Sequence, residues 1–295
     1  MTIHKLDLLQ PTTLEEASAL YLEHEGDASF IAGGTALLIY LRERFYQPGY
    51  LIDLKTIPGL DYLRHEPGVG LRVGALVTHW TMERSPLVRQ HAPVLCETYR
   101  EIGNVRVRHA ATVGGNLAHG DYRLDPPAPL IALRARARLV RQGGEREVPL
   151  EDFFLDIYTT ALEPGEIVAE VIVPDPPAGT GAVYLKYQSL SAMDWPCLGV
   201  AAALTPGADG SVDDLRVVLT SVASHPVLLQ GVNEVVRGQR LTDRLISDVM
   251  ALVDDQIDPT DDIRGSVWYK REMARLFVGR AIRAAQQRAQ ATARG

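Results

Sequence analysis

Apolar residues recur along the first half of the chain at spacings that alternate between those of helices and those of strands. After Pro11, Leu14, Ala17 and Leu20 fall on one helical face. Short apolar runs of strand length follow. The pattern predicts helices at 14–24, 37–42, 81–101 (broken near Pro86 and Pro93) and 128–134, and strands at 28–32, 50–54, 71–75, 137–141, 146–149 and 167–173. This part of the chain is therefore predicted to be mixed α/β.

A segment rich in proline and glycine interrupts this pattern at 174–181. Because neither residue type continues a helix or a strand well, we place a domain boundary there, between a first domain at 1–176 and a C-terminal domain at 182–290. The second domain is predicted to contain strands at 182–188, 198–204 and 215–222, then helices at 231–237, 243–254 and 266–287. Strands followed by helices are typical of an α+β domain.

Composition narrows the possible function classes. The 295 residues are 46% hydrophobic and carry a net charge of -7 with scattered basic residues, which argues against nucleic-acid binding. The one basic concentration, at 134–146, is predicted to be a solvated strand face. Cys96 and Cys197 are too few for a disulfide scaffold or a four-thiolate iron–sulfur cluster. So few cysteines fit a reducing cytoplasm best. Residues 1–10 contain no apolar core of signal-peptide length and no stretch approaches a membrane span, so export by a signal in this chain is not expected.

Two short segments, at 31–35 and 112–116, are each centred on adjacent glycines. Adjacent glycines let the backbone approach a ligand closely and let successive N–H groups point at phosphate oxygens. The side chains of Thr35, Thr112 and Asn116 add directional contacts. Neither segment matches a P-loop or a dinucleotide fingerprint, and each alone is explained by a tight turn. Together they are interpreted as two halves of one anion-binding cradle.

Further motifs match a known family in order and spacing. They are residues 32–35, 51–54, 71–75 and 112–117, Asp125 with Pro127 and 130–133, and 184–186 with Asp194. The chain resembles, over nearly its whole length, the FAD-binding medium subunit of the molybdenum hydroxylases, the xanthine dehydrogenase and carbon monoxide dehydrogenase family. This resemblance implies an α+β fold: a PCMH-type FAD-binding domain of two α/β subdomains, followed by a smaller α+β C-terminal domain of the CO-dehydrogenase-flavoprotein type.

The resemblance also implies which residues bind FAD non-covalently, with the two glycine segments holding its pyrophosphate. Asp125 is expected on the adenosine side, with capping of the next helix as the alternative. Lys186 is expected near the flavin ring, with an ordinary strand lysine as the alternative, and Val168 is expected against the cofactor or in the core. The implied set is Ile31, Ala32, Gly33, Gly34, Thr35, Thr112, Gly114, Gly115, Asn116, Asp125, Val168 and Lys186. No catalytic residue or metal ligand is predicted.

Other polar and aromatic residues near these motifs have less specific interpretations. The spacing of His109, His119 and Asp121 fits no zinc signature, so loop or subunit contacts are predicted for them. Tyr122 and Trp195 are candidates to stack on the flavin ring, with burial in the core or an interface as the alternative.

The implied function is electron transfer. No nucleophile–base pair, molybdenum site or iron–sulfur site can be assembled from this chain, so the resemblance implies a large partner with the molybdenum cofactor and a small partner with two-iron two-sulfur clusters. FAD in this chain then passes electrons to an external acceptor, within a dimer of heterotrimers. The alternatives are a stand-alone FAD-dependent reductase and a non-catalytic assembly subunit with a decayed flavin site. Ala36, where family members commonly carry Asp, keeps the last alternative open.

Overall fold

The computed structural model describes residues 6–191 and 193–292, and its N-terminal part is a small parallel sheet with two helices. In chain order the elements are β1 (Asp7–Leu9), α1 (Leu14–Glu23), β2 (Ala28–Ile31), α2 (Leu37–Arg42) and β3 (Tyr50–Asp53). The strands pair in the order β1-β3-β2. The Thr13 hydroxyl caps α1 by accepting from the Glu16 amide, and Ala17 packs under the helix against Ile52.

A five-stranded antiparallel sheet forms the centre of the first domain. The elements are β4 (Leu63–Glu66), β5 (Gly70–Gly74), α3 (His79–Arg84), α4 (Pro86–His91), α5 (Pro93–Arg100), α6 (Val105–Ala110), α7 (Val113–His119), α8 (Pro127–Ala132), β6 (Arg136–Arg141), β7 (Gly144–Pro149), β8 (Phe154–Asp156), β9 (Thr159–Thr160) and β10 (Ile167–Val173). The sheet order is β4-β5-β10-β6-β7. Pro86 and Pro93 each open a new helix, which explains the predicted breaks.

A four-stranded antiparallel sheet organises the remainder of the chain. It contains β11 (Gly181–Tyr187), β12 (Leu198–Pro206), β13 (Val212–Thr220) and β14 (Val227–Leu228), in chain order, and is followed by α9 (Val232–Val236), α10 (Asp243–Ala251) and α11 (Val267–Thr292). Alternate side chains of a strand face opposite sides of a sheet. Accordingly, Ala201 and Ala203 share a core with Leu130 of α8, whereas Ala202 packs in the core that includes α11. The sheet is thus enclosed between α8 and α11.

The predicted α+β class is confirmed, and the basic concentration at 134–146 is accounted for by strand pairing. β6 and β7 form a hairpin whose arginines pair with carboxylates. These ion pairs include Arg138 with Glu145, Arg141 with Glu163 and Arg146 with Glu166. The positive charge is therefore neutralised locally and does not form an open anion-binding patch.

Within the described ranges, no helix combines the length and the apolar character that crossing a bilayer requires.

Candidate cofactor-binding site

The two glycine segments meet in the folded chain. A Cβ atom built on Gly33 lies 2.1 Å from the carbonyl oxygen of Ala110 and 2.9 Å from the Cα of Ala111, immediately before the second segment. A Cβ built on Gly115 lies 3.8 Å from the Cβ of Ala32. Residues that are distant in sequence therefore line opposite sides of one narrow gap, and Gly33 permits an approach that any side chain would prevent.

The first segment offers free backbone donors. It begins where β2 ends, and Gly34 has a φ of +69°, in the left-handed region that favours glycine. In the part of the chain that the structure describes, the amides of residues 33–37 donate no hydrogen bond to the protein. Five successive unpaired N–H groups around a left-handed residue are the kind of backbone that binds anions.

The second segment differs from its prediction, because its glycines lie in the first turn of α7. The Thr112 hydroxyl accepts from the Gly115 amide at 3.2 Å, and the Gly114 amide donates to the Ala75 carbonyl at 2.8 Å. The amides of Val113 and Asn116 are also bonded within the protein. The expectation that successive N–H groups of this segment point at an anion is therefore wrong for residues 113–116. The sequence does contain one signal for this helix, because threonine at position 112 is a residue type that commonly caps a helix N-terminus. The low helix propensity of the two glycines at 114 and 115 obscured that signal.

The second segment offers a ligand the exposed backbone of Gly115 and the side chain of Asn116, one atom of which is unpaired. Gly115 is exposed, so its missing side chain leaves space on the side that faces Ala32. The Oδ1 atom of Asn116 is buried and has no hydrogen-bond partner within the described residues. A buried polar atom without a partner is costly and is normally satisfied by something else, such as a ligand. The carboxamide of Asn116 can both donate and accept.

Asp125, Tyr184 and Lys186 form a buried polar cluster. The Lys186 Nζ lies 3.0 Å from one oxygen of Asp125 and donates to the Glu101 carbonyl at 2.9 Å. The Tyr184 hydroxyl donates to the other Asp125 oxygen at 2.6 Å. The side chains of Lys186 and Asp125 are only 3% and 6% exposed. Burial raises the pKa of Asp125, and the positive charge of Lys186 opposes this shift.

This cluster decides between the alternatives left open for its two charged members. Asp125 does not cap α8, whose N-cap is Pro126, because Tyr184 and Lys186 bond to both of its oxygens. Lys186 is not an ordinary exposed strand lysine. The predicted places, Asp125 at the adenosine and Lys186 at the flavin ring, stay a prediction. Their direct contact means that a cofactor group beside one of them lies close to the other.

The remaining predicted residues have structural partners. Val168 is 4% exposed in the core beside Val113 and Leu117 of α7, and its contact with a cofactor stays a prediction. The guanidinium of Arg123 lies over the rings of Tyr122 and Trp195, at 5.2 and 5.0 Å from their centroids. For these two aromatic residues, stacking on flavin likewise stays a prediction.

The three polar residues near the second segment also contact protein groups. His109 stacks on Trp80 with ring centroids 4.3 Å apart, and His119 lies between Tyr40 and Tyr158. Asp121 pairs with Arg123. Among the residues that the structure describes, these three do not converge as metal ligands.

Comparisons with known proteins decide which cofactor this site serves. Residues 4–176 match the family described as the FAD binding domain in molybdopterin dehydrogenase. The chain belongs to this family. Residues 183–285 match a second family, the CO dehydrogenase flavoprotein C-terminal domain. The FAD-binding medium subunit predicted from the sequence is therefore confirmed at the level of the family, whereas the boundaries predicted for the two domains stay a prediction.

Curated relatives and solved structures agree with this family over nearly full length. The carbon monoxide dehydrogenase medium chain of Hydrogenophaga pseudoflava is 34% identical, with 94% of this chain and 96% of the relative covered. The nicotine 6-hydroxylase medium subunit of Paenarthrobacter nicotinovorans is 30% identical, with 96% and 98% covered. A structure of the Hydrogenophaga carbon monoxide dehydrogenase superposes with a TM-score of 0.93 and 34% identity, covering 98% of this chain and 99% of the matched chain.

The residues present fit the FAD of this molybdopterin dehydrogenase family. FAD has a pyrophosphate, which needs hydrogen-bond donors, and the amides of residues 33–37 are free to donate. Next to its phosphates are sugar and ribityl hydroxyls, for which the unpaired Oδ1 of Asn116 is a suitable acceptor. Gly115 is exposed and has no side chain to obstruct a ligand on the side that faces Ala32. The cofactor thus accounts for three features that the protein alone leaves unexplained.

His79 lies beneath the second glycine segment, and we expect it to make the free energy of unfolding depend on pH. Its amide donates to the Ala111 carbonyl, its ring is 1% exposed, and burial lowers its pKa to about 4. Because the unfolded state binds a proton near pH 6.5 and the folded state does not, stability is complete above that pH and falls as the pH drops toward 4. We expect a loss of about 2 kcal/mol between pH 7 and pH 5.

Urea denaturation of His79→Leu at both pH values tests this expectation. The variant loses stability from the altered packing, but its pH dependence becomes flatter than that of the wild type. As a control, His24→Leu replaces a partly exposed histidine stacked on Tyr50 and leaves the pH dependence in place. An unchanged pH dependence in His79→Leu contradicts the assignment.

Proposed function

We propose that this chain is the FAD-binding electron-transfer subunit of a multi-subunit molybdenum hydroxylase. It takes electrons from an iron–sulfur subunit and passes them to an external acceptor, while a large molybdopterin subunit oxidises the substrate. The single observation that carries the proposal is the meeting of the two glycine segments, with unpaired amides on one side of the gap and a surface free of side chains on the other. A dimer of heterotrimers in the cytoplasm is part of the proposal, and the free, buried thiols of both cysteines suit that compartment.

Each side of the gap has a separate task. The amides of residues 33–37 bind the phosphate oxygens of FAD, and Thr35 adds a hydroxyl at the same turn. Gly115 lets the pyrophosphate pass close to α7, and the Asn116 carboxamide donates to a phosphate and accepts from a neighbouring hydroxyl. Ile31 and Ala32 position the turn at the end of β2. When bound, FAD accepts and releases electrons one or two at a time.

The Asp125–Lys186 pair lies at one end of the cofactor. The Glu101 carbonyl accepts a hydrogen bond from Lys186. The chain that follows Glu101 forms α6 and ends at Ala110, which contacts Gly33, so α6 connects the pair to the first glycine segment. We place the pair beside the flavin ring, where the family resemblance puts Lys186 but not Asp125. Because Asp125 neutralises Lys186, the pair acts on the ring as a dipole. Its effect on the flavin reduction potential is smaller than that of an isolated lysine.

Titration of the flavin-free chain with FAD and with FMN tests the proposal. We expect saturable binding of one FAD per chain, release of intact FAD on denaturation, and binding of FMN that is weaker by about 100-fold because FMN lacks the adenylate and its phosphate. Absence of saturable FAD binding selects the non-catalytic assembly subunit. Substrate turnover by the isolated chain selects the stand-alone reductase.

Asn116→Ala tests the free carboxamide. We expect FAD affinity to fall by about 10-fold, which corresponds to one lost hydrogen bond to a charged group, with little change in the stability of the flavin-free chain. Asn233→Ala is the matched control, because Asn233 bonds to the Leu215 amide and to Asp214 within the C-terminal domain. It lowers stability and leaves FAD affinity in place. Equal FAD binding by Asn116→Ala and the wild type excludes Asn116 from the site.

A further inference from the structure

His65, His91 and Asp175 converge at the edge of the five-stranded sheet. They come from β4, from the last turn of α4 and from the loop that follows β10. Their ligand atoms all lie within 4.8 Å of one another. Among the residues that the structure describes, this is the one group of three histidine, cysteine or carboxylate side chains that meets this criterion.

The two imidazole rings are stacked and present nitrogens to the same carboxylate. Their centroids are 3.7 Å apart and their planes are inclined by 19°. The Nε2 of His65 lies 2.8 Å from one oxygen of Asp175, and the Nδ1 of His91 lies 3.5 Å from the other. Three elements that are distant in sequence therefore bring three potential ligand atoms into one small volume.

These separations are close to those around a tetrahedral metal ion. Zinc binds histidine nitrogen and carboxylate oxygen at about 2.0–2.2 Å, so two ligand atoms on one tetrahedral ion lie roughly 3.3 Å apart. Both nitrogen-to-oxygen distances differ from this value by roughly 0.5 Å or less. Asp175 can move by this amount to bring its oxygens to the metal-binding distance, because its side chain is 42% exposed and the residue lies in the loop after β10.

The donor set selects the kind of metal. Two imidazoles with one carboxylate suit zinc and neighbouring first-row transition ions, whereas Mg²⁺ and Ca²⁺ prefer oxygen ligands. The side chains of His65 and His91 are about one-fifth exposed, so solvent can reach the fourth position. We propose that His65, His91 and Asp175 form a binding site for one Zn²⁺-class transition-metal ion, completed by water. The site fastens the end of β10 to β4 and α4, and it is independent of the flavin.

Calorimetric titration of the full, tag-free chain with ZnCl₂, together with Co²⁺ absorption spectroscopy, tests the site. We expect one ion per chain, a visible Co²⁺ band typical of tetrahedral coordination, and no heat with MgCl₂. His91→Asn is expected to weaken Zn²⁺ binding by at least about 100-fold, and Asp175→Asn by at least about 10-fold. His24→Asn is the matched control, because His24 is also ring-stacked and partly exposed but lies elsewhere.

Binding that is retained in His24→Asn and lost in the other two variants supports the proposal. Because Asp175 is exposed, Asp175→Asn is expected to fold even if His91→Asn does not. The proposal is overturned if the wild-type chain shows no saturable Zn²⁺ binding, or if Asp175→Asn binds the ion as tightly as the wild type. Neither result bears on FAD binding, which is measured separately.

Discussion

Gly115→Ala is expected to lose FAD while keeping its fold. The added Cβ lies 3.8 Å from the Cβ of Ala32, which is methyl-to-methyl contact, so it covers the exposed backbone of α7 against which we place the pyrophosphate. We expect FAD affinity to fall by at least about 100-fold, or about 2.7 kcal/mol. The stability of the flavin-free chain should change by less than about 1 kcal/mol, because alanine favours the helical conformation of α7 and offsets a small shift of the Thr112 hydroxyl.

Two other glycines provide controls for this result. A Cβ on Gly114 lies 2.5 Å from the Cβ of Ala75, so Gly114→Ala must displace the strand end that supports α7 and should destabilise the chain with or without FAD. Gly144→Ala has open space around the new Cβ and should change neither property. FAD titration and urea denaturation on all three variants distinguish a blocked site from a damaged fold. If Gly115→Ala binds FAD as tightly as the wild type, the pyrophosphate does not lie against Gly115.

The sequence predicted most helices and strands because strong local signals agree with the tertiary structure. The breaks at Pro86 and Pro93 and the apolar runs of β10 and β12 are local features that need no knowledge of the fold. The elements that were not predicted, including β1, β4, α6 and α7, are short, and contacts with distant segments stabilise them. In α7, the Val113 and Gly114 amides bond to carbonyls just after β5, an arrangement that no local pattern can indicate.

The sequence predicted which segments form the candidate site, but not which of them provides the free backbone amides. Adjacent glycines and their polar neighbours indicated an anion site at both segments, yet the amides of residues 113–116 are bonded within the protein, whereas those of residues 33–37 are free. Which amides are used depends on the carbonyls of Ala75 and Val77, and the sequence does not show that these lie beside residues 113–114. Likewise, Asp125 and Lys186 were singled out separately. Their direct pairing depends on how β11 packs against the first domain.

Lys186→Met is expected to destabilise the flavin-free chain strongly at pH 8. Removing one member of a buried ion pair leaves an uncompensated charge and typically costs about 3–5 kcal/mol. Methionine keeps most of the apolar stem of lysine, so the effect reports the lost charge more than lost packing. Asp125 then retains only the Tyr184 hydroxyl as a partner among its described contacts.

The pH dependence of this loss identifies its cause. In the wild type, burial raises the pKa of Asp125 while Lys186 opposes the shift, so removing Lys186 raises that pKa further. The folded variant then holds a proton that the unfolded chain releases near pH 4, and its stability declines as the pH rises between these two pKa values. The loss of unfolding free energy in Lys186→Met relative to the wild type should therefore be smaller at pH 5 than at pH 8.

The double variant Asp125→Asn with Lys186→Met completes the test. It removes both charges and keeps a polar partner for Tyr184, so we expect it to recover at least about 2 kcal/mol relative to Lys186→Met at pH 8 and to lose the pH dependence of that variant. Urea denaturation at pH 5 and pH 8 is measured on the wild type, Lys186→Met, Asp125→Asn and the double variant. A Lys186→Met deficit that is the same at both pH values, or a double variant that is no more stable than either single variant, means that the two residues are coupled by packing and not by charge.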